Sequence, residues 1–263
     1  MIKVAIFTSD QPRHLFFIKK IMDKINPVLV VQEEKQLKRK ETTNWSNTES
    51  LFFLKSLSKS DKAKLKDQVF PNTESMKVKK GEINSDIVRQ KLIESGAEVC
   101  LVFGTSILKK SIFSVPKRGC INIHTGLVQG YRGVHSCFWS VYNNDPSMIG
   151  VTIHQVSKGI DNGGVLLQAR THLDENDTIE NVFFKTCALG FNLLAENINT
   201  ISNKEFNTRK VSHGKLYQLK DMNLEIMKEI NDNIEKVIQN YLKNKETINN
   251  KKDLEYGDFK WKL

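Results

Sequence analysis

The chain has 263 residues, a formal net charge of +10 and 39% hydrophobic residues. That length suits one large domain or a domain with an appendage, and the apolar fraction suffices for a core. No run of about 18 apolar residues occurs, so no membrane-spanning helix is expected, and four cysteines without CxxC spacing (Cys100, Cys120, Cys137, Cys187) argue against a disulfide framework or a zinc site.

The opening run Ile2-Lys3-Val4-Ala5-Ile6-Phe7-Thr8 is β-branched and apolar and is closed by Ser9-Asp10-Gln11-Pro12. It has no signal-peptide pattern and reads as a first strand, which makes the cytoplasm the expected location. From Arg13 to Asp23, Leu15, Ile18, Ile21 and Met22 fall on a helical stripe, and Pro27 to Gln32 reads as a second buried strand. This is the β-α-β opening of an open parallel sheet. It carries no GxGxxG, so dinucleotide binding has little support.

Residues 33–81 are poor in strand signals and rich in Lys, Ser, Thr and Asn. Leu51, Phe52, Leu54, Leu57, Leu65 and Val69 support one or two helices in an insertion. Between Glu33 and Lys80 the basic residues number 12 and the acidic ones 7. That is either a solvated basic surface or a positive field that draws an anionic ligand, such as a nucleotide, a polyglutamate tail or RNA. Stacked aromatics and an RNP-like run are missing, so nucleic acid is not the expected partner.

Further strands are read at Glu98–Phe103, Cys120–His124, Gly150–Val156 and Val165–Ala169, and helices at Ser85–Ser95, His135–Asn143 and Thr178–Ile201. Met222 to Leu242 is a broad amphipathic stripe that must be buried on its own sheet or on another subunit, so a homodimer stays open. The expected organisation is residues 1–203 as the main domain, 33–81 as its insertion, and 204–263 as a mainly helical appendage with a charged tail.

The chemistry gathers between Cys120 and Gly164. Asn122 and His124 lie two apart on one strand, so they share a face at its carboxyl end, where open α/β sheets place ligands. Asp161 sits in Gly159-Ile160-Asp161-Asn162-Gly163-Gly164, whose glycines allow tight turns. Taken singly, Asn122 and Asp161 also serve as turn formers and His124 as a satisfied polar residue at a sheet edge. Together they suit acyl transfer to an amine without a covalent intermediate. An amide donates to a developing oxyanion, a histidine stabilises that charge or takes the amine's proton, and a carboxylate fixes the histidine's state. No GxSxG or HExxH occurs, so neither a serine nucleophile nor a metal centre is expected. His135 and His154 are further candidates, with His154 read as structural.

Ile107-Leu108, Gly119 to His124, Leu127, Arg132-Gly133, Gly150 to Ile153 and Gly159 to Gly163 together resemble the folate-dependent formyltransferase family, whose members act on methionyl-tRNA, phosphoribosylglycinamide or nucleotide sugars. The likeness covers about Ala97 to Arg170 well and the first strand and helix loosely. It implies a Rossmann-like α/β fold, with a mostly parallel sheet flanked by helices, and N10-formyltetrahydrofolate as formyl donor. It maps the catalytic amide, imidazole and carboxylate onto Asn122, His124 and Asp161. It also implies that the pterin lies along Phe103, Gly104, Thr105 and Leu108 and against the turn at Gly159.

Three departures stand out. Where many members have Ser-Leu-Leu-Pro, this chain has Gly126-Leu127-Val128-Gln129. The insertion exceeds the family's compact core. The region after residue 203 lacks the alternating short strands of the β-barrel carried by methionyl-tRNA formyltransferases. The leading acceptor is therefore the amine of a nucleotide-linked amino sugar, met by Tyr131, Arg132, His135 and Trp139, since an Arg pairs with pyrophosphate and a ring stacks on a base or sugar. Phosphoribosylglycinamide, methionyl-tRNA and hydrolysis of the donor follow in that order. A non-catalytic binding protein of the same fold is the alternative of a different class. It predicts that Asn122, His124 and Asp161 diverge in space.

Overall fold

The β-branched run at the start forms strand β1 (Lys3–Ser9), whose residues from Val4 onward are all buried. Pro12 then occupies the first turn of helix α1 (Pro12–Ile21), where its missing N–H costs nothing. In the computed structural model of the chain, residues 1–35, 70, 72–203, 208–212 and 214–249 are described. The helices expected between Glu49 and Val69 lie outside the described residues.

The remaining elements are β2 (Asn26–Glu33), β3 (Glu74–Val78), α2 (Asp86–Glu94), β4 (Val99–Val102), α3 (Lys110–Phe113), β5 (Cys120–His124), β6 (Tyr131–Gly133), α4 (Ser136–Tyr142), β7 (Gly150–Gln155), β8 (Val165–Arg170), α5 (Ile179–Asn203), β9 (Lys215–Tyr217) and α6 (Leu224–Asn249). Among the described residues, seven strands form one sheet in the order β3-β2-β1-β4-β5-β7-β8. The first five run parallel, and β7 and β8 are antiparallel to their neighbours. The chain leaves β1 toward β2 on one side and returns to β4 on the other. That switch opens a crevice at the carboxyl ends of β1, β4 and β5. The Thr8 hydroxyl ties two of these ends by donating to the Phe103 carbonyl at 3.1 Å.

Helices cover both faces. One face carries α1, α4, α5 and α6, with Phe17, Phe138, Phe191 and Tyr241 among its buried side chains. The other carries α2 and α3 over Phe7, Leu29, Val88 and Ile112. Ser85 caps α2 by accepting the Val88 N–H at 3.4 Å. The apolar stripe of α6 is buried on its own chain: Ile230, Val237, Ile238, Tyr241 and Ile248 are all buried, and the helix packs against α4.

Three strands were not foreseen. β3 lies inside the segment read as poor in strands. It is an edge strand with only Val78 buried, so it shows no apolar run. β6 and β9 pair in parallel as a separate two-stranded ribbon of three residues each. Through β9, the region after residue 203 reaches back into the crevice.

Candidate active site

β5 presents Asn122 and His124 to the crevice, and the turn after β7 brings Asp161 to them. The antiparallel register sets Asn122 opposite His154 and His124 opposite Thr152. Asn122 Nδ2 donates to Asp161 Oδ1 at 3.3 Å and to His154 Nε2 at 3.1 Å. His154 Nδ1 faces the Gln155 carbonyl at 2.8 Å. That carbonyl requires a proton on Nδ1, so Nε2 accepts from the amide while the ring is neutral and donates to Asp161 Oδ1 when it is protonated.

The carboxylate of Asp161 is the hub. Its Oδ2 accepts the Gly133 N–H at 2.8 Å and lies 3.3 Å from His124 Nδ1, while Oδ1 lies 3.2 Å from His154 Nε2. The backbone of Asp161 is left-handed, with φ 46°, a conformation that costs a non-glycine residue free energy and must be held by its surroundings. Burial raises the Asp161 pKa, but the positive field of His124, the bonds and charge of His154 and the Gly133 N–H outweigh it. The carboxyl therefore stays ionised far below the usual range.

His124 Nε2 lies 3.1 Å from the Tyr131 carbonyl, so both of its ring nitrogens face oxygen acceptors. Only a doubly protonated ring serves both. Burial acts against that charge and lowers the pKa, with Asp161 opposing it. Burial thus disfavours the charged ring while Asp161 favours it, and negative charge developing beside the ring strengthens its hold on a second proton.

These side chains line one cleft of about 420 Å³. Phe103, Gly104, Thr105, Leu108 and Gly159 line it too, on the side expected for the pterin. Val102, Ile107 and Val156 add apolar wall there, and Ile107 is 64% exposed at its mouth. An apolar slot of this kind suits a flat heteroaromatic ring. Gly104 has φ +73° and packs so closely on His14 that a Cβ there would lie 2.0 Å from the imidazole.

The residues expected at the acceptor are placed mostly away from the cleft. Of the four expected contacts only His135 lines the cleft. Trp139 stacks on Tyr217, with centroids 4.0 Å and planes 14° apart, and Tyr131 packs on the same ring. Both are buried because the inward face of α4 and the β6–β9 ribbon close over them. The Arg132 guanidinium donates to the Gly214 carbonyl at 3.0 Å and to the Ile160 carbonyl at 3.3 Å, both main-chain groups. The remaining wall of the cleft includes Arg13, His14, Phe183, Tyr217, Gln218 and Leu219. Arg13 donates to His14 Nε2 at 2.8 Å and sits over the Phe183 ring.

Sequence reasoning set His154 aside as structural. The signal that would have recovered it is its cross-strand pairing with Asn122, which follows only once β7 is known to run antiparallel to β5. No local signal marks Tyr217 to Leu219, whose place depends on the ribbon.

Fold and site define an α/β protein with an amide, two imidazoles and a carboxylate joined at the carboxyl edge of a parallel sheet. The chain belongs to the formyl transferase family: the profile of that description matches residues 3–198. The methionyl-tRNA formyltransferase of Ehrlichia ruminantium (strain Welgevonden) is 37% identical over 122 residues, which is 46% of this chain and 36% of that protein. The chain thus matches about a third of the length of such curated relatives. A sugar N-formyltransferase from Shewanella sp FDAARGOS_354 superposes with a TM-score of 0.57 at 19% identity, over 98% of this chain and 90% of that one. Phosphoribosylglycinamide formyltransferase from Anaplasma phagocytophilum does so with a TM-score of 0.57 at 15% identity, over 82% and 98%. The shared architecture is the Rossmann-like formyltransferase fold.

Proposed function

We propose that the chain transfers a formyl group from N10-formyltetrahydrofolate to a primary amine, and that the amine belongs to a nucleotide-linked amino sugar. The convergence of Asn122, His124 and Asp161 on one cleft carries the reading of formyl transfer. A non-catalytic binding protein had no need of that convergence.

The roles follow from the geometry. The acceptor nitrogen attacks the formyl carbon, and the carbonyl oxygen becomes an oxyanion. Asn122 turns its amide N–H groups from Asp161 and His154 to that oxygen. His124 gains stability as a cation beside the same charge, with Asp161 behind its Nδ1. The attacking nitrogen loses a proton, the nitrogen of the donor gains one, and the carbon–nitrogen bond to the donor breaks. With its pKa held so low, Asp161 is a weak base, so its part is to orient the ring and favour its proton.

Several observations support the amino-sugar acceptor. The likeness to the Shewanella sugar N-formyltransferase runs through 98% of this chain. The match to methionyl-tRNA formyltransferase stops at about a third of that protein. The cleft also offers a guanidinium, Arg13, whose Nε donates to His14, and two rings, Phe183 and Tyr217, a set suited to a phosphorylated, ring-bearing ligand. The test is to incubate the protein with formyl donor and a panel of amino-sugar nucleotides, phosphoribosylglycinamide and charged tRNA, and to weigh the products. Gain of one formyl group by an amino-sugar nucleotide is the expected result. Incorporation only into phosphoribosylglycinamide or tRNA overturns the acceptor, and incorporation into none overturns the transfer.

A further inference from the structure

We propose that Arg132 is a positioning residue: by bridging the Ile160 and Gly214 carbonyls, it makes placement of the Asp161 carboxylate depend on docking of the C-terminal segment around β9.

Three sets of contacts carry this. The first is the bridge itself. Arg132 Nε reaches Gly214 O at 3.0 Å, and Nη1 reaches Ile160 O at 3.3 Å, one peptide before Asp161. A planar fork with donors on several edges can hold two carbonyls from different segments, which an ammonium cannot do in the same geometry. The second is the neighbour. Gly133, next to Arg132, donates its N–H to Asp161 Oδ2 at 2.8 Å and adopts φ +86° with its α-carbon packed onto β9. A Cβ there would lie 2.0 Å from the Tyr217 carbonyl. The third is the grip of the C-terminal segment on the far end of the same turn. Arg209 and Val165 exchange two backbone hydrogen bonds of 2.9 Å.

The segment therefore holds the turn between β7 and β8 at two points, through Arg132 at Ile160 in its middle and through Arg209 at Val165 at its far end. Its own seat is fixed by Gly214 N to Val128 O at 2.8 Å, Lys215 N to Gly130 O at 3.0 Å and Val134 N to Tyr217 O at 3.1 Å. Between those two anchors Asp161 sits in a left-handed conformation, which an aspartate tolerates at some cost in free energy. Withdrawing the segment frees Ile160, and with it the direction of the carboxylate toward His124. A misplacement of about 1 Å in such a group costs on the order of a hundredfold in rate.

The test uses Arg132→Gln, Arg132→Lys and Gly214→Ala in the full chain. Gly214→Ala serves as an independent wedge, because a Cβ there would lie 2.0 Å from the Gly130 carbonyl. The readouts are amide hydrogen exchange across residues 158–164 and at Gly133, and titration of the His124 ring by NMR. Arg132→Gln is expected to speed exchange in that turn by about tenfold or more while exchange in β1, β4 and β5 stays slow. The His124 titration is expected to move to lower pH, because the Asp161 charge is no longer held at its Nδ1. Lysine restores only part of the protection. Gly214→Ala reproduces the pattern, and the double variant adds little to either single one. Unchanged exchange at 158–164, loosening spread over the whole chain, or additive effects of the two substitutions would each overturn the proposal.

The activity arm rests on the proposed function. With the amine that the screen identifies, kcat falls by about tenfold to a hundredfold and KM stays within about threefold. A change confined to the acceptor's KM would instead make Arg132 a substrate contact. If the wild-type protein formylates no amine, exchange and titration still decide the positioning role.

Discussion

Gln129 and Gln168 exchange reciprocal side-chain hydrogen bonds, 2.8 Å and 2.7 Å long. Gln168 also donates to the Thr152 hydroxyl at 2.9 Å, and that hydroxyl donates to the Gly126 carbonyl at 2.7 Å. This amide pair anchors the loop after His124 at the position where a proline was expected from the family's pattern. Gln168→Leu strands a donor and an acceptor of Gln129, and it should cost about 1–3 kcal/mol in denaturant unfolding. The Gln129→Leu/Gln168→Leu pair should recover part of that loss. Equal stability of wild type and Gln168→Leu would show that the pair does not hold the loop.

His124→Ala and Asp161→Asn should each lower formyl transfer by roughly 10²- to 10⁴-fold, with circular dichroism unchanged. Steady-state rates with the identified acceptor check this. Near-wild-type turnover in either variant removes that residue from the chemistry.

His14 sets an acid limit on stability. It is buried, accepts from Arg13, lies 2.6 Å from the Ser9 hydroxyl and packs edge-on against Phe103. Burial, with the nearby Arg13 and Lys35 charges, holds its pKa well below the ordinary 6.5. The unfolded chain therefore binds more protons than the folded one below that pH, so stability is full above 6.5 and drains as the pH falls. His124 is lowered in the same direction, and Asp161 adds no slope until the pH drops below its ordinary 3.8. Melting temperature should fall between pH 7 and pH 5, and His14→Gln should flatten that fall without abolishing it. An identical slope in the variant would dismiss His14 as its source.

Gly104→Ala forces its new methyl against the His14 ring in a backbone conformation that disfavours any side chain. The donor-side loop must shift, and tetrahydrofolate should bind roughly tenfold more weakly, about 1.4 kcal/mol, by calorimetric titration. Unchanged affinity would separate that loop from the donor.

The parts of the molecule legible beforehand were those with a local pattern. β1, β2, β4 and β5 are apolar runs, and α5 and α6 carry long stripes, so each declares itself within its own residues. Asn122 and His124 were readable because two residues on one strand share a face by geometry alone. What stayed hidden depends on partners distant in the chain. β3 is a polar edge with one buried residue. Trp139 has the same apolar character whether it faces a ligand or Tyr217, and only the ribbon decides. Arg132 looks like a ligand cation until the carbonyls of residues 160 and 214 arrive beside it.

The cleft draws its walls from Arg13 to Leu219. A ribosome delivers the chain from its N-terminus, and domains fold as their segments emerge. The residues of β5 and the turn at Asp161 leave the exit tunnel more than fifty positions before Tyr217, by the numbering of the chain. Through that interval the growing polypeptide holds its reactive groups without the wall they face. Completion of the cleft thus waits for Tyr217 to Leu219, and a product released early, short of residue 214, has the sheet without that wall.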